Sequence, residues 1–184
     1  MANNTTSLFF LLITLTLVSL PPYHESAFDF FKLVQQWPPS FCKFQRCAQP
    51  IIKTFTIHGL WPDNYTTTLD SCIGNSFQYF QAYFNLAMQL YDRLNILEVF
   101  AKSNISPGAT GNHLLPQLKK SLVAHTGKVP DFKCQLGRRT ATPTNLLKEV
   151  VSCYNSYGTA IDCPVSQLSN SCNRRGNTIL EFPG

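Results

Sequence analysis

The chain has 184 residues and is 44% hydrophobic, which suits one domain with a buried core and argues against wholesale disorder. Its formal net charge is +5, so a secreted form would suit anionic partners such as RNA, acidic glycans or membrane surfaces. The basic residues are spread out, which excludes a polybasic tail and leaves ordinary solvated surface charge as an equal explanation.

An apolar run at residues 8–20 is shorter than the roughly 20 residues of a membrane-spanning helix and has the length of a signal-peptide core. Its several Thr and Ile residues argue against the alternative of a buried N-terminal helix. We therefore predict a signal peptide over residues 1–27, one domain over residues 28–184 and a secreted, extracellular protein with no membrane partner.

Two strands are predicted in the first part of the domain. Residues 28–37 alternate in hydrophobicity until Pro38 ends the pattern. Residues 51–60 form the second strand, in which the side chains of Phe55 and Ile57 point one way and that of His58 the other. We expect Gly59 and Pro62 to break this strand, so that His58 lies near its end on the polar face.

Two helices and four short strands follow. Residues 75–100 have an apolar stripe at helical spacing, which predicts one long helix with these residues in the core: Phe80, Phe84, Ala87, Met88, Tyr91 and either Leu94 or Asn95. A second helix is predicted at residues 114–125, ended by Gly127. Strand-like runs occur at residues 132–135, 146–154, 159–162 and 178–182. This order of elements predicts an α+β domain.

Seven Cys residues in a chain of this size indicate an oxidising compartment and a disulfide framework. The number is odd, so at least one thiol lacks a partner within the chain. Cys42 and Cys47 enclose four residues, which fits a small disulfide loop. No Cys or His spacing suits a metal, so we predict neither a metal nor a cofactor. Sequons make Asn64 and Asn104 candidate glycosylation sites.

Three segments of the sequence resemble the ribonuclease T2 family, which includes plant S-ribonucleases and S-like ribonucleases. The most specific is FTIHGLWPDN at residues 55–64, which is similar to the first active-site segment of that family. The string FDFFKLVQQWPP at residues 28–39 resembles its mature N-terminus, and LKEVVSC at residues 147–153 resembles its C-terminal part. The resemblance implies an α+β fold with a central antiparallel sheet, packed helices and disulfides.

The resemblance also implies a substrate and site residues. Members of the family cleave RNA through a 2′,3′-cyclic phosphate, which needs a base, an acid and donors that hold the phosphoryl charge. The residue matching His58 is one of two catalytic histidines and is usually assigned as the acid. Trp61 would pack against the site or the substrate, with core packing as an equal alternative. Gln36 matches a position that contacts a base in relatives.

The sequence lacks the second active-site segment of the family, His-Glu-Trp-x-Lys-His-Gly-Thr-Cys. Only residues 73–82 lie where relatives have several tens of residues, so we infer that an internal segment is missing. The family pattern implies three disulfides, which are Cys42 with Cys47, Cys134 with Cys172, and Cys153 with Cys163. Cys72 would then be an unpaired thiol, because its usual partner ends the missing segment.

Three functions remain open on this evidence. The first is a T2-type endoribonuclease that binds RNA but is strongly impaired, because neither His113 nor His125 matches a family active-site position. The second is a non-catalytic secreted factor that binds RNA or a protein recognition partner in pistil self-incompatibility or defence. The third is a defective splice form or gene model of an active enzyme. We expect a monomer unless Cys72 pairs between chains.

Overall fold

The computed structural model describes residues 28–66, 77–108, 112–137, 144–176 and 179–184. The predicted signal peptide and Cys72 lie outside these residues. No helix among the described residues is long and apolar enough to cross a bilayer.

The described residues form strands, helices and two 3₁₀ turns. The strands are β1 (Phe30–Gln36), β2 (Thr56–Asp63), β3 (Asn112–Leu114), β4 (Asp131–Leu136), β5 (Asn145–Asn155), β6 (Ala160–Ile161) and β7 (Ile179–Glu181). The α-helices are α1 (Pro38–Phe41), α2 (Phe77–Asp92), α3 (Ile96–Lys102) and α4 (Leu115–Thr126), and the 3₁₀ turns are Val165–Gln167 and Ser171–Gly176. The second predicted helix is therefore present as α4, and the last four predicted strands as β4 to β7.

Strand β5 is the centre of the sheet. It pairs antiparallel with β1, β4 and β6, and the path through the sheet runs β2-β1-β5-β7-β3. Strand β7 pairs in parallel with the first residues of β5, so the sheet is mixed. The prediction of an α+β fold is confirmed, but the predicted antiparallel sheet is wrong for this one pair, because β7 returns along the direction of β5.

The main core lies between the sheet and helices α3 and α4, and it is rich in aromatic residues. Trp37 is fully buried there, against Phe55 and Phe182. Its indole Nε1 donates a hydrogen bond of 2.8 Å to the carbonyl oxygen of Pro183. This residue therefore joins the end of β1 to the C-terminus of the chain through both packing and a hydrogen bond.

The long helix predicted at residues 75–100 is two helices, because Asn95 interrupts it. The backbone of Asn95 is extended, and its side-chain oxygen accepts a hydrogen bond of 3.2 Å from the backbone N–H of Glu98. This is the usual role of Asn as the residue that caps the N-terminus of a helix. Residues 75–76 lie outside the described part of the chain.

Among the described side chains, which do not include that of Phe80, the predicted core stripe of this helix is wrong at two positions. Phe84 is 51% exposed and Met88 is 39% exposed, whereas Ala87, Leu90 and Leu94 are buried. The face of helix α2 that includes Ala87 and Leu90 lies against β1. These two residues pack against Phe31 and Leu33. Apolar residues cover more than one face of this helix, so periodicity alone could not decide which of them is buried.

Strand β2 begins later and ends later than predicted. It starts at Thr56 and runs through Gly59 and Pro62 to Asp63, so His58 is not near its end. Pro62 is tolerated because β2 is an edge strand within the described sheet, where a missing N–H need not remove a ladder hydrogen bond. The prediction that the side chains of Phe55 and Ile57 point one way and that of His58 the other is confirmed, since Phe55 and Ile57 pack in the apolar clusters and His58 contacts Glu149.

Three disulfides link parts of the described chain: Cys42–Cys47, Cys134–Cys172 and Cys153–Cys163. These are the pairs that the family resemblance implied. The second ties β4 to the 3₁₀ turn at Ser171–Gly176, and the third ties β5 to the segment after β6. The covalent links therefore support the centre of the sheet.

The two tryptophans of the chain should contribute very differently to stability. We expect Trp37→Phe to lower the free energy of unfolding by about 1–3 kcal/mol, because it removes a buried hydrogen bond and leaves a cavity. Trp61→Phe is the matched control, since Trp61 is 51% exposed, and it should change stability by less than about 0.5 kcal/mol. Urea unfolding of both variants measures this, and equal losses would contradict the assigned role of Trp37.

Candidate active site

Two β-bulges place charged side chains on the sheet face that does not carry the main core. In the β1–β2 ladder, Gln35 pairs with Ile57 and Val34 with Gly59, so His58 is the extra residue of a bulge. In the β4–β5 ladder, Lys133 pairs with Glu149 and Cys134 with Leu147, so Lys148 is the extra residue of a second bulge. Bulges redirect side chains, and both of these side chains approach Glu149.

The carboxylate of Glu149 is the meeting point of three basic groups. Its Oε1 lies 3.1 Å from Nδ1 of His58 and 3.2 Å from Nζ of Lys148. Its Oε2 lies 3.9 Å from Nζ of Lys133. Only 4% of the Glu149 side chain is exposed, and a buried carboxylate is tolerated when cations surround it.

The contact between His58 and Glu149 is within hydrogen-bonding distance but does not have hydrogen-bond angles, so it is a close polar contact. The imidazole is 46% exposed, which leaves it free to turn. A rotation of the imidazole ring would change the hydrogen-bond angle without moving strand β2. The 3.1 Å distance between Nδ1 of His58 and Oε1 of Glu149 is therefore the feature that the backbone determines.

Trp61 lies beside His58 and has an open aromatic face. The two ring centroids are 6.3 Å apart with the rings nearly perpendicular. The indole covers Gly59, where an added Cβ atom would lie 2.6 Å from Nε1 of Trp61. Glycine at this position therefore allows the indole to lie flat against the strand.

Gln36 completes the set of predicted site residues. It pairs with Glu149 across the β1–β5 ladder, so its side chain points to the same face of the sheet. Its Nε2 is buried and has no hydrogen-bond partner within the described residues. The structure therefore brings Gln36, His58 and Trp61 together around Glu149, although the sequence separates Glu149 from all of them.

Glu149, Lys148 and Lys133 were not predicted as site residues. The signal was present, because Lys148 and Glu149 interrupt the apolar run at residues 146–154. A glutamate inside a buried strand needs a nearby cation, which is a reason to suspect a polar site. Their grouping with His58 depends on the pairing of β5 with β1 and β4, which local patterns do not define.

The other two histidines of the described domain are engaged elsewhere. Nε2 of His113 lies 3.0 Å from the carbonyl oxygen of Ser106, and its ring lies against Phe182 of the main core. His125 belongs to the last turn of α4, and it adds slightly to the lowering of the pKa of Glu98 in α3, which is due mainly to Lys102. Neither residue contributes to the cluster around Glu149.

The charges on this face nearly balance. Lys32 forms a salt bridge with Asp63, and the buried Glu149 offsets part of the charge of Lys133 and Lys148. Among the described residues, no group of three or more His, Cys, Asp or Glu side chains could hold a metal ion. The arrangement can therefore accept or donate a proton at an imidazole and hold an anion weakly through two lysines.

Asp131 lies on the same face and is buried. Burial raises the pKa of its carboxyl group above the usual value of 3.8. Hydrogen bonds from the N–H groups of Ser169 and Phe132, together with the charges of Lys133 and Lys32, oppose that increase. The folded state therefore binds a proton at this position more tightly than the unfolded state does.

We expect Gly59→Ala to push the Trp61 indole away from the strand, because the new methyl group would overlap it. Acrylamide quenching of the exposed tryptophan should increase, and the near-UV circular dichroism should change. Gly108→Ala is the matched control, since nothing lies near the position of its added methyl group. Identical spectra for both variants would contradict the close packing of the indole on Gly59.

The raised pKa of Asp131 predicts a pH-dependent loss of stability. Between 3.8 and the raised pKa, the folded state holds more protons at Asp131, so its contribution to the free energy of unfolding falls as the pH rises. Asp131→Asn keeps the acceptor for the Ser169 N–H and removes this titration. Relative to that variant, the wild-type protein should lose stability in urea titrations as the pH rises from below 3.8 through the raised pKa of Asp131; a constant difference would refute the prediction.

Comparisons with known proteins agree with this fold and with the sequence resemblance. The model of the family described as Ribonuclease T2 family matches residues 28–79 and 70–163. Ribonuclease S-3 of Petunia hybrida is 28% identical over 228 residues, an alignment that covers 97% of each chain and is longer than the present chain.

Solved structures give the same result. The self-incompatibility-associated SF11-RNase of Nicotiana alata aligns with a TM-score of 0.70 and 23% identity, covering 85% of this chain and all of that one, which shows a shared fold. A variant of the bitter gourd ribonuclease MC1 in complex with 5′-UMP aligns with a TM-score of 0.69 and 26% identity, covering 84% of this chain and 98% of that one. With most of its domain matched by the family model, the chain belongs to the ribonuclease T2 family.

Proposed function

We propose that this protein is a secreted T2-type endoribonuclease by descent, which binds RNA on the face that holds His58 and cleaves it only slowly. The observation that supports this best is the grouping of Gln36, His58 and Trp61 on one open face. These are the residues that the family resemblance assigns to base contact, proton transfer and stacking.

Each of these side chains is in a condition to meet RNA. The Nε2 of Gln36 has no hydrogen-bond partner among the described residues, so a nucleobase carbonyl would satisfy this donor once the buried amide turned outward. The exposed ring of Trp61 offers a face on which a base can stack. The neighbouring relative that was solved with 5′-UMP supports a nucleotide as the class of ligand.

The chemistry needs a base for the 2′-hydroxyl proton, an acid for the departing 5′-oxygen and donors for the phosphoryl charge. His58 supplies one proton-transfer group, and Lys133 and Lys148 lie within 4 Å of its carboxylate partner. The family's second segment, which would add a histidine, an acid and a lysine, does not occur in the sequence. The long alignment with the petunia enzyme is consistent with residues missing from this chain.

The magnitude of the impairment follows from the missing groups. Loss of a general acid or base costs about 10²–10⁴-fold in rate, and loss of a charge-stabilising donor costs roughly 10²–10³-fold. We therefore expect the protein to cleave polyuridylate at least about a thousandfold more slowly than a relative with both segments. The petunia ribonuclease is the reference, and release of acid-soluble nucleotides is the measurement.

His58→Ala is the control that assigns any remaining cleavage to this site. His125→Ala is matched to it, because His125 is a histidine on a helix outside the cluster. Near-normal turnover in the wild-type protein that His58→Ala abolishes would refute the claim of impairment. Turnover that neither variant changes would point to a contaminating nuclease.

A non-catalytic secreted factor that binds RNA or a protein partner is the second candidate. The observation that favours it is a face that keeps its binding side chains while the sequence lacks the second catalytic segment. Fluorescence anisotropy with a labelled oligouridylate separates the two candidates, because binding without measurable cleavage would favour the second. A pistil or defence role, suggested by relatives of the S-ribonuclease type, belongs to this candidate.

Secretion and glycosylation form part of the same proposal. Three disulfides support an oxidising compartment. Asn104 is exposed in a turn with a φ of 56°, whereas Oδ1 of Asn64 accepts a hydrogen bond from the backbone of Asp29. Asn104 is therefore the more accessible of the two sequons. We propose a monomer without metal or cofactor.

A further inference from the structure

We propose that Glu149 is a positioning residue, which holds His58 in the tautomer that carries its proton on Nδ1 and leaves Nε2 as a proton acceptor. A carboxylate can only accept hydrogen bonds, so a nearby neutral imidazole is favoured when its Nδ1 carries the proton. The Oε1 of Glu149 lies 3.1 Å from that atom, which is within hydrogen-bonding distance, and the imidazole is 46% exposed and so can turn.

The position of Glu149 strengthens its preference for the tautomer of His58 that carries the proton on Nδ1. Its side chain is 4% exposed, and its backbone is fixed by ladders to β1 on one side and β4 on the other. Nζ of Lys148 and Nζ of Lys133 lie 3.2 Å and 3.9 Å from the carboxylate oxygens and help to hold the side chain in place. A hydrogen bond from Nδ1 of His58 would meet an acceptor in a place with little competing water, where it would be stronger than at the surface.

The close contact of His58 with Glu149 is made through Nδ1, which leaves Nε2 as the ring nitrogen that can act on a substrate. The arrangement resembles the pair in which a buried acid orients a histidine so that its second nitrogen acts as a base. The role in cleavage rests on the proposed function, and it differs from the acid role that the family resemblance assigns to His58.

The proton balance of this step is simple. Nε2 of His58 takes the proton of the 2′-hydroxyl, the 2′-oxygen forms a bond to phosphorus, and the bond from phosphorus to the 5′-oxygen breaks. The departing 5′-oxygen takes a proton from water, and the resulting hydroxide takes the proton from the imidazolium. Since no side chain supplies a proton to the leaving group, the reaction should depend strongly on how easily that group departs.

His113 provides an internal reference for the test. Its Nε2 lies 3.0 Å from the carbonyl oxygen of Ser106, which can only accept, so this ring should carry its proton on Nε2. In long-range ¹H–¹⁵N spectra of the full mature chain with labelled histidines, at a pH where imidazoles are neutral, His58 and His113 should show opposite tautomers. His58→Ala assigns the first set of signals.

Glu149→Gln should change the signals of His58 alone. The amide of glutamine can donate as well as accept, so both tautomers of His58 become comparably populated, whereas His113 is unaffected. Glu181→Gln is the matched control, because Glu181 contacts Lys43 and Thr144 and lies outside the cluster. If the Glu149 variant fails to fold, the wild-type spectrum still decides: an Nε2-protonated His58 overturns the proposal.

A second measurement separates the roles of base and acid. Uridine 3′-(p-nitrophenyl phosphate) has a leaving group that needs no proton, so a protein with a base and no acid should cleave it. Glu149→Gln should lower kcat on this substrate by about 10²-fold or more with little change in KM, because an orienting carboxylate acts on the transition state. Equal kcat in both proteins overturns the proposal. Absence of RNA binding would instead refute the proposed function, while the tautomer measurement still stands.

Discussion

Strand β5 is the part of the structure on which the rest depends. Other strands pair along both of its edges, and its side chains are buried on both faces. Leu147 and Val150 enter the main core under the helices, while Val151 and Cys153 pack on the opposite face. A charged residue in such a strand must find its partners within the fold, and Glu149 does so with side chains from its own strand and from two others. The candidate site therefore exists because the centre of the sheet contains a carboxylate.

Stability and chemistry are coupled at this carboxylate. Removing one partner of a buried ion cluster leaves uncompensated charge, which typically costs about 3–5 kcal/mol when the group is fully buried. His58, Lys133 and Lys148 are themselves partly exposed, so each contributes less than that and each remains accessible to a ligand. A bound phosphate would compete with Glu149 for the two lysines. The contacts of Lys133 and Lys148 that offset the charge of Glu149 inside β5 thus also limit how tightly this face can bind an anion.

Much of the fold could be predicted from sequence, because its elements have clear local patterns. The alternation in β1 and the terminating Gly127 after α4 helped to identify these elements, and the family resemblance implied the three disulfides. The break at Asn95 was missed, since a single capping residue inside an apolar stripe is also compatible with a continuous helix. The orientation of α2 was wrong because Phe84 and Met88 are as apolar as the residues that are buried.

Only part of the candidate site could likewise be predicted from the sequence. His58, Trp61 and Gln36 could be named because they occur in short strings with a known resemblance. Their partners could not, because Glu149 and Lys133 approach His58 through non-local ladders, and Lys148 is turned toward it by a bulge. A bulge adds one residue to one strand, and no pattern of alternating hydrophobicity marks its position.

The strand that carries His58 has a distinctive place in the order of unfolding. Strand β2 lies at the edge of the described sheet and pairs with β1 alone among the described strands, and none of the three disulfides crosses to it. Edge elements of this kind open at lower free energy than the central strands do. Mild heat or denaturant can therefore detach the surface that would meet RNA while the cross-linked centre stays intact. A sample that has lost its binding can still look folded by any probe that follows the core.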